Sequence, residues 1–314
     1  MACDLCPRAC RVDRSTGERG ICGETDRLRV ARAALHMWEE PCISGKAGSG
    51  AVFFCGCALH CVFCQNKSIA NGTVGKEISE ERLAEIFLEL QEKKANNINL
   101  VTAGQFAPQV ARALQRAKEQ GLIIPIVYNT SSYENVDTIK RFDGLVDIYL
   151  PDLKYVDATL SAKYSHAPDY FVTAQAAIGE MVRQVGKPEF SVEGEPGRIF
   201  AEEYNERCDE DAEMLMKRGV IVRHLLLPGC ADDTRRVIAY LIDTYGDQIY
   251  ISIMNQFTPL DGLSAFPELN CKISDAEYEE IIDFAIEYGI ENAFIQEGGT
   301  AEESFIPAFD LEGV

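Results

Sequence analysis

Short apolar, β-branched runs alternate with helical stretches along most of this chain, and that alternation limits what it can fold into. Strands are expected over 51–54, 98–101, 124–128, 146–150, 220–227, 249–254 and 293–296. Helices are expected over 80–94, 108–120, 171–185, 234–245 and 275–288, the last opened by a capping box of Ser274 and Glu277. The strands read as continuous apolar runs, as parallel strands covered on both faces do. Six or seven such units imply an α/β fold with a partial or near-complete parallel barrel, and a doubly wound sheet is the structural rival. Residues 26–38 suit an extra strand or hairpin, and the acidic stretch 189–213 suits an irregular surface excursion. Residues 1–40 read as a small N-terminal Cys-rich metal knuckle, and 41–314 as the core with its C-terminal segment.

Charge narrows the function classes. Lys and Arg number 30 against 50 Asp and Glu, so the net charge is 30 − 50 = −20. Such a surface repels phosphate backbones and anionic lipid, which argues against general nucleic-acid or membrane binding. No apolar run reaches the ~18 residues of a membrane span, and Met1 to Asp4 do not resemble a secretion leader. The expectation is a cytoplasmic protein. In that reducing setting its 12 cysteines point to metal or redox chemistry rather than disulfides.

The most informative group follows the first core strand. Cys57, Cys61 and Cys64 form C-x3-C-x2-C on one short loop. Three thiolates there can ligate three irons of a [4Fe–4S] cube and leave the fourth iron open. Zinc more often takes paired C-x2-C knuckles.

These residues resemble the radical SAM superfamily, whose loop reads C-x3-C-x-φ-C with an aromatic φ, here Phe63. A closer resemblance is to proteins related to pyruvate formate-lyase activating enzyme, of the PflX-type branch. It rests on Glu40-Pro41-Cys42-Ile43-Ser44-Gly45, Gly48-Ser49-Gly50, Cys64-Gln65-Asn66, the stretches 128–133 and 147–155, Val222-Arg223-His224-Leu225 and Met254-Asn255-Gln256, and it spans nearly the whole chain. The resemblance implies a [4Fe–4S] enzyme that binds S-adenosylmethionine (SAM) and cleaves it reductively. The products would be methionine and a 5′-deoxyadenosyl radical that abstracts hydrogen from a substrate, as in the activation of glycyl-radical enzymes. It also implies a low-potential electron donor of flavodoxin or ferredoxin type. It does not supply the substrate.

In a parallel barrel the site gathers beyond the carboxyl ends of the strands, and several polar motifs fall there. By resemblance, Thr102, Gly104 and Gln105 take the place of the motif that receives the SAM amino group, although Gln105 is neutral. Asn129 and Ser131 are candidates for ribose or carboxylate contacts, with turn capping as the plainer reading. Asp152 and Lys154 could hold ribose and carboxylate or form a solvated ion pair. His224 is a candidate ribose contact or a satisfied core histidine. Phe63 would pack near adenine, and Asn255 and Gln256 are weaker candidates facing substrate.

A second group, Cys3, Cys6, Cys10 and Cys22, reads C-x2-C-x3-C-x11-C. Four thiolates complete a closed site for zinc or for an auxiliary iron–sulfur cluster. Cys42, Cys55, Cys208, Cys230 and Cys271 read as buried small residues or free thiols. Two further function classes stand beside the radical SAM enzyme. A non-catalytic iron–sulfur protein would transfer electrons or sense redox state. A zinc-knuckle nucleic-acid binder is disfavoured by the charge.

Overall fold

The computed structural model describes residues 2–207, 212–260, 263–296 and 307–314. Its strands are β1 (Arg29–His36), β2 (Ser49–Phe54), β3 (Lys76–Glu77), β4 (Ile98–Val101), β5 (Ile126–Thr130), β6 (Ile148–Pro151), β7 (Glu189–Val192), β8 (Ile199–Phe200), β9 (Met214–Leu225), β10 (Tyr250–Met254) and β11 (Ala293–Ile295). One sheet runs in the order β11-β10-β9-β6-β5-β4-β2-β1-β3. From β2 through β4, β5, β6, β9 and β10 to β11 every pairing is parallel.

This order separates the two rival architectures. Each new parallel strand is added on the same side of the last, so the sheet keeps curling. A doubly wound sheet needs a reversal of order among its parallel strands, and none occurs among those described. The parallel run from β2 to β11 does not close on itself, since β2 pairs with β1 and β4 and not with β11, so the barrel is partial.

Burial explains the strand composition. Every residue of β2, β4 and β6 is buried, so apolar runs rather than alternation are what these positions require. The helices Glu80–Glu92, Ala107–Glu119, Tyr170–Val185, Ala231–Tyr245 and Asp275–Tyr288 lie within a few residues of their expected bounds. Ser79 and Ser274 each accept a backbone N–H three residues on, capping the first and last. A helix at Ala158–Ser165, capped by Asp157, was not expected from the sequence.

One expectation changes and one, the extra strand over 26–38, is met. Residues 189–213 are not wholly irregular: β7 and β8 form a hairpin, a helix covers Ala201–Arg207, and β7 pairs antiparallel with an early extension of β9. Phe190, Val192, Tyr204 and Met216 bury a separate apolar cluster there, which gives those residues a reason to order. Residues 29–36 form β1, antiparallel to β2, so this part of the N-terminal stretch is continuous with the sheet. Cys208 lies outside the described residues. Among the described residues no helix is long and apolar enough to cross a membrane.

Candidate functional site

The carboxyl ends of the parallel strands open on a cavity of about 250 Å³. The loop after β2 contributes Cys57, Cys61, Cys64 and Phe63. Thr102 comes from the end of β4, Asn129 and Ser131 from β5, and Asp152 and Lys154 from beyond β6. Residues far apart in sequence therefore share one cavity. Thr102 and His60 are non-glycine residues with φ of 59° and 54°, in the left-handed region. Such backbone is sparsely populated and is concentrated at functional sites.

The three thiols suit iron ligation. Ser165 Oγ donates to Cys61 Sγ at 3.1 Å and the Leu59 N–H to Cys57 Sγ at 3.4 Å, contacts that favour thiolates. Burial pushes the Cys61 thiol up to about 11 and the Cys64 thiol up to about 12. Both would be protonated until a metal displaces the proton. Among the described residues no three Cys, His, Asp or Glu side chains close on one single-ion point. A cubane makes no such demand, because each thiolate binds a different iron. Cys55 stands apart. It is fully buried, its thiol donates to Val74 O at 3.1 Å, and burial holds it up to about 12.

On the facing wall Lys154 Nζ lies 2.7 Å from Asp152 Oδ2. Burial alone would depress the Lys154 ammonium, but the Asp152 carboxylate and the nearby Cys61 sulfur hold its pKa above the ordinary lysine value. Tyr170 joins two strand ends: its hydroxyl lies 2.9 Å from both Ser131 O and Asp152 O and accepts the Lys154 N–H at 3.0 Å. Sequence reasoning passed over Tyr170 because a buried tyrosine in a helix carries no motif.

Three expected residues sit elsewhere. Gly104 and Gln105 line a second, smaller cavity rather than the first. The Gln105 amide donates to Cys55 O, Gly56 O and Thr102 O at 2.7, 3.0 and 2.8 Å, so it braces the cysteine loop from behind. A Cβ on Gly104 would lie 2.5 Å from Glu134 Oε2, which explains the glycine. Glu134 is itself buried; it accepts from Tyr128 OH at 2.8 Å and from Thr130, and burial raises its pKa. His224 lines neither cavity. Its Nδ1 donates to Leu153 O at 2.7 Å, and its Nε2 lies 3.0 Å from the Thr234 hydroxyl. Burial depresses its pKa to about 4, so it is a neutral, satisfied core histidine. Of the two weaker candidates, Gln256 lines the first cavity and Asn255 does not.

The sequence also hid a buried ion cluster. Arg223 on β9 donates Nε to Glu40 Oε1 at 2.9 Å and Nη2 to both Glu39 and Glu40. Asn99 Nδ2 holds the other Glu39 oxygen at 2.7 Å. Burial pushes the Glu40 pKa up, and the Arg223 guanidinium outweighs it and holds it below the usual value. Glu39 and Arg223 line the large cavity together with His36 and Trp38.

Known proteins match this arrangement. Residues 51–191 match the family model of the radical SAM superfamily, a span that holds the cysteine loop and the ends of β2, β4, β5 and β6. That stretch is similar to a radical SAM domain. The match identifies an enzyme superfamily and names no reaction. An uncharacterised protein of Methanocaldococcus jannaschii is 25% identical over 296 residues, 92% of this chain and 75% of that protein. The pyruvate formate-lyase-activating enzyme of Clostridium pasteurianum is 28% identical over 150 residues, 45% of this chain and 61% of that enzyme. SuiB of Streptococcus suis, solved with S-adenosylmethionine bound, aligns at 12% identity and a TM-score of 0.49, over 78% of this chain and 50% of its own.

Proposed function

We propose that this radical SAM enzyme holds a [4Fe–4S] cluster on Cys57, Cys61 and Cys64 and SAM in the adjoining cavity. One observation carries the reading. All three thiols and the polar strand-end residues Thr102, Asn129, Ser131, Asp152 and Lys154 line a single cavity. When bound, the cluster and SAM supply one-electron reductive cleavage to methionine and a 5′-deoxyadenosyl radical, which takes a hydrogen atom from the substrate.

The chain's own groups have separate tasks. The short loop fixes three donors and leaves one iron without a protein ligand, where an amino acid's amine and carboxylate can bind. Lys154, half-neutralised by Asp152, is placed to hold a carboxylate. The Asn129 and Ser131 side chains offer partners to hydroxyls, and Thr102 offers an oxygen to an ammonium. Phe63 supplies an apolar wall.

The reading extends to a low-potential one-electron donor of flavodoxin or ferredoxin type. It also includes a protein glycine as one candidate substrate, suggested by the activating-enzyme relative alone. The unit that does this work is 41–314 with β1 added at its edge.

An anaerobic SAM titration of the iron-loaded, reduced protein tests the reading by electron paramagnetic resonance. SAM is expected to change the cluster signal of the wild type. Half-saturating SAM should rise on the order of tenfold in Lys154→Met. A signal indifferent to SAM would leave an electron carrier in place of a SAM enzyme.

A further inference from the structure

The second cavity, about 30 Å³, is walled by Cys3, Cys6, Cys10 and Cys22 on one side and by Cys57, Ala58 and Thr102 on the other. The N-terminal cysteines therefore stand directly behind the loop that carries the first cluster. The contact between them is close. The Cys57 N–H donates to Cys22 O at 3.2 Å. His60 Nε2 lies 2.7 Å from Ile21 O, and Arg8 Nε donates to Ala58 O at 2.9 Å. Gly56, at φ +80°, shows how tight the seat is: a Cβ there would lie 2.6 Å from Cys22 O.

Arg14 supplies the second, independent observation. It is 6% exposed and lines the same cavity. Its hydrogen bonds go to neutral acceptors: Gln105 O at 2.7 Å, Thr25 O, and Cys3 Sγ at 4.0 Å. Its Nε has no partner. Glu24, whose charge it feels, makes its ion pair with Arg29 at 2.8 Å instead. A buried guanidinium with no ion pair of its own is costly, and four neutral thiols do not supply one. Four thiolates around a divalent ion, or around a [4Fe–4S] core of charge 2+, carry a net charge of about −2, which can.

We propose that Cys3, Cys6, Cys10 and Cys22 form a closed four-thiolate metal centre, charge-balanced by Arg14, whose loading sets the cysteine loop of the SAM site. The donors suit zinc or an iron–sulfur cluster equally. Among the described residues they do not yet stand closed on a point. Metal uptake draws them together, and the hydrogen bonds at Cys22 O, Ile21 O and Arg8 carry that order to residues 57–60. The metal site is tested apart from the reading above, whereas its coupling to the loop rests on that reading.

Metal analysis of anaerobically prepared protein decides it. The variant Cys57→Ala, Cys61→Ala, Cys64→Ala removes the first cluster, whatever its function. It should still hold either about one zinc or about four irons per chain, and which metal appears names the centre. Cys10→Ser with Cys22→Ser should lose that metal, keep the first cluster and bind SAM on the order of tenfold more weakly. Arg14→Gln, which removes the charge and keeps a polar side chain, should lower second-site occupancy even if the double variant fails to fold. No metal in the triple variant would overturn the site. Unchanged SAM affinity in a folded double variant, with its second metal gone, would overturn the coupling to the loop.

Discussion

At the scale of single residues, the decisive question for each cysteine is what its sulfur touches. Cys61 receives the Ser165 hydroxyl, and Ser165 is in turn 2.9 Å from Tyr155 OH. A hydrogen bond to a ligating sulfur stabilises the more negative, reduced cluster. Ser165→Ala should therefore move the cluster's reduction potential negative by tens of millivolts, read by potentiometric titration. An unmoved potential would show that the bond does not persist once iron is bound. Cys55 makes the opposite case. With its thiol donating to Val74 O away from the cavity, Cys55→Ser should retain the full iron content of the wild type; loss of iron would make it a ligand. The sequence made the three candidate ligands legible because their spacing is dense and chemically specific. It could not place Gln105, which follows Thr102 by three residues yet faces the other way. The left-handed turn at Thr102 redirects the chain, and a φ value leaves no trace in residue type when the residue is threonine.

At the scale of elements, β4 was legible to the residue because its four positions are all buried. The hairpin of β7 and β8 was not. Phe190 and Val192 alternate with Glu189 and Ser191, a short period-two signal lost among acidic neighbours, and it is ordered only by pairing with β9. The tie between β9 and the turn before helix Pro41–Ser44 was equally hidden, because Arg223 and Glu40 are 183 positions apart. Breaking one partner of a buried pair strands the other, so Glu40→Gln should cost about 3 kcal/mol in chemical denaturation. The pH dependence follows from the depressed Glu40 pKa. Its contribution is fully present above the unfolded carboxylate pKa and is lost as pH falls through the lower, folded value. Wild type should therefore lose stability on acidification more steeply than Glu40→Gln, and parallel acid profiles would contradict this.

At the scale of the whole molecule, the strand order is what makes one cavity from residues between 36 and 307. Because each parallel strand adds on the same side, the carboxyl ends of β2, β4, β5 and β6 converge, and the cysteine loop faces the polar strand ends across the cleft. Inside the cleft Lys154 and Arg223 are each already paired, with Asp152 and with Glu39 and Glu40, so an anionic group there meets cations held in place by carboxylates. The alternation of strands and helices made the barrel legible. Its closure stayed open in the sequence, because whether β11 meets β2 depends on curvature accumulated over the whole sheet.

The central claim is that this cavity cleaves SAM reductively. The most direct measurement is the amount of 5′-deoxyadenosine formed anaerobically by the reconstituted protein with SAM and a strong one-electron reductant, beside a Cys57→Ala control. The account predicts product from the wild type and none above background from the control. Equal yields from both, or none from a wild type whose cluster is spectroscopically intact and whose candidate substrates are present, would contradict it.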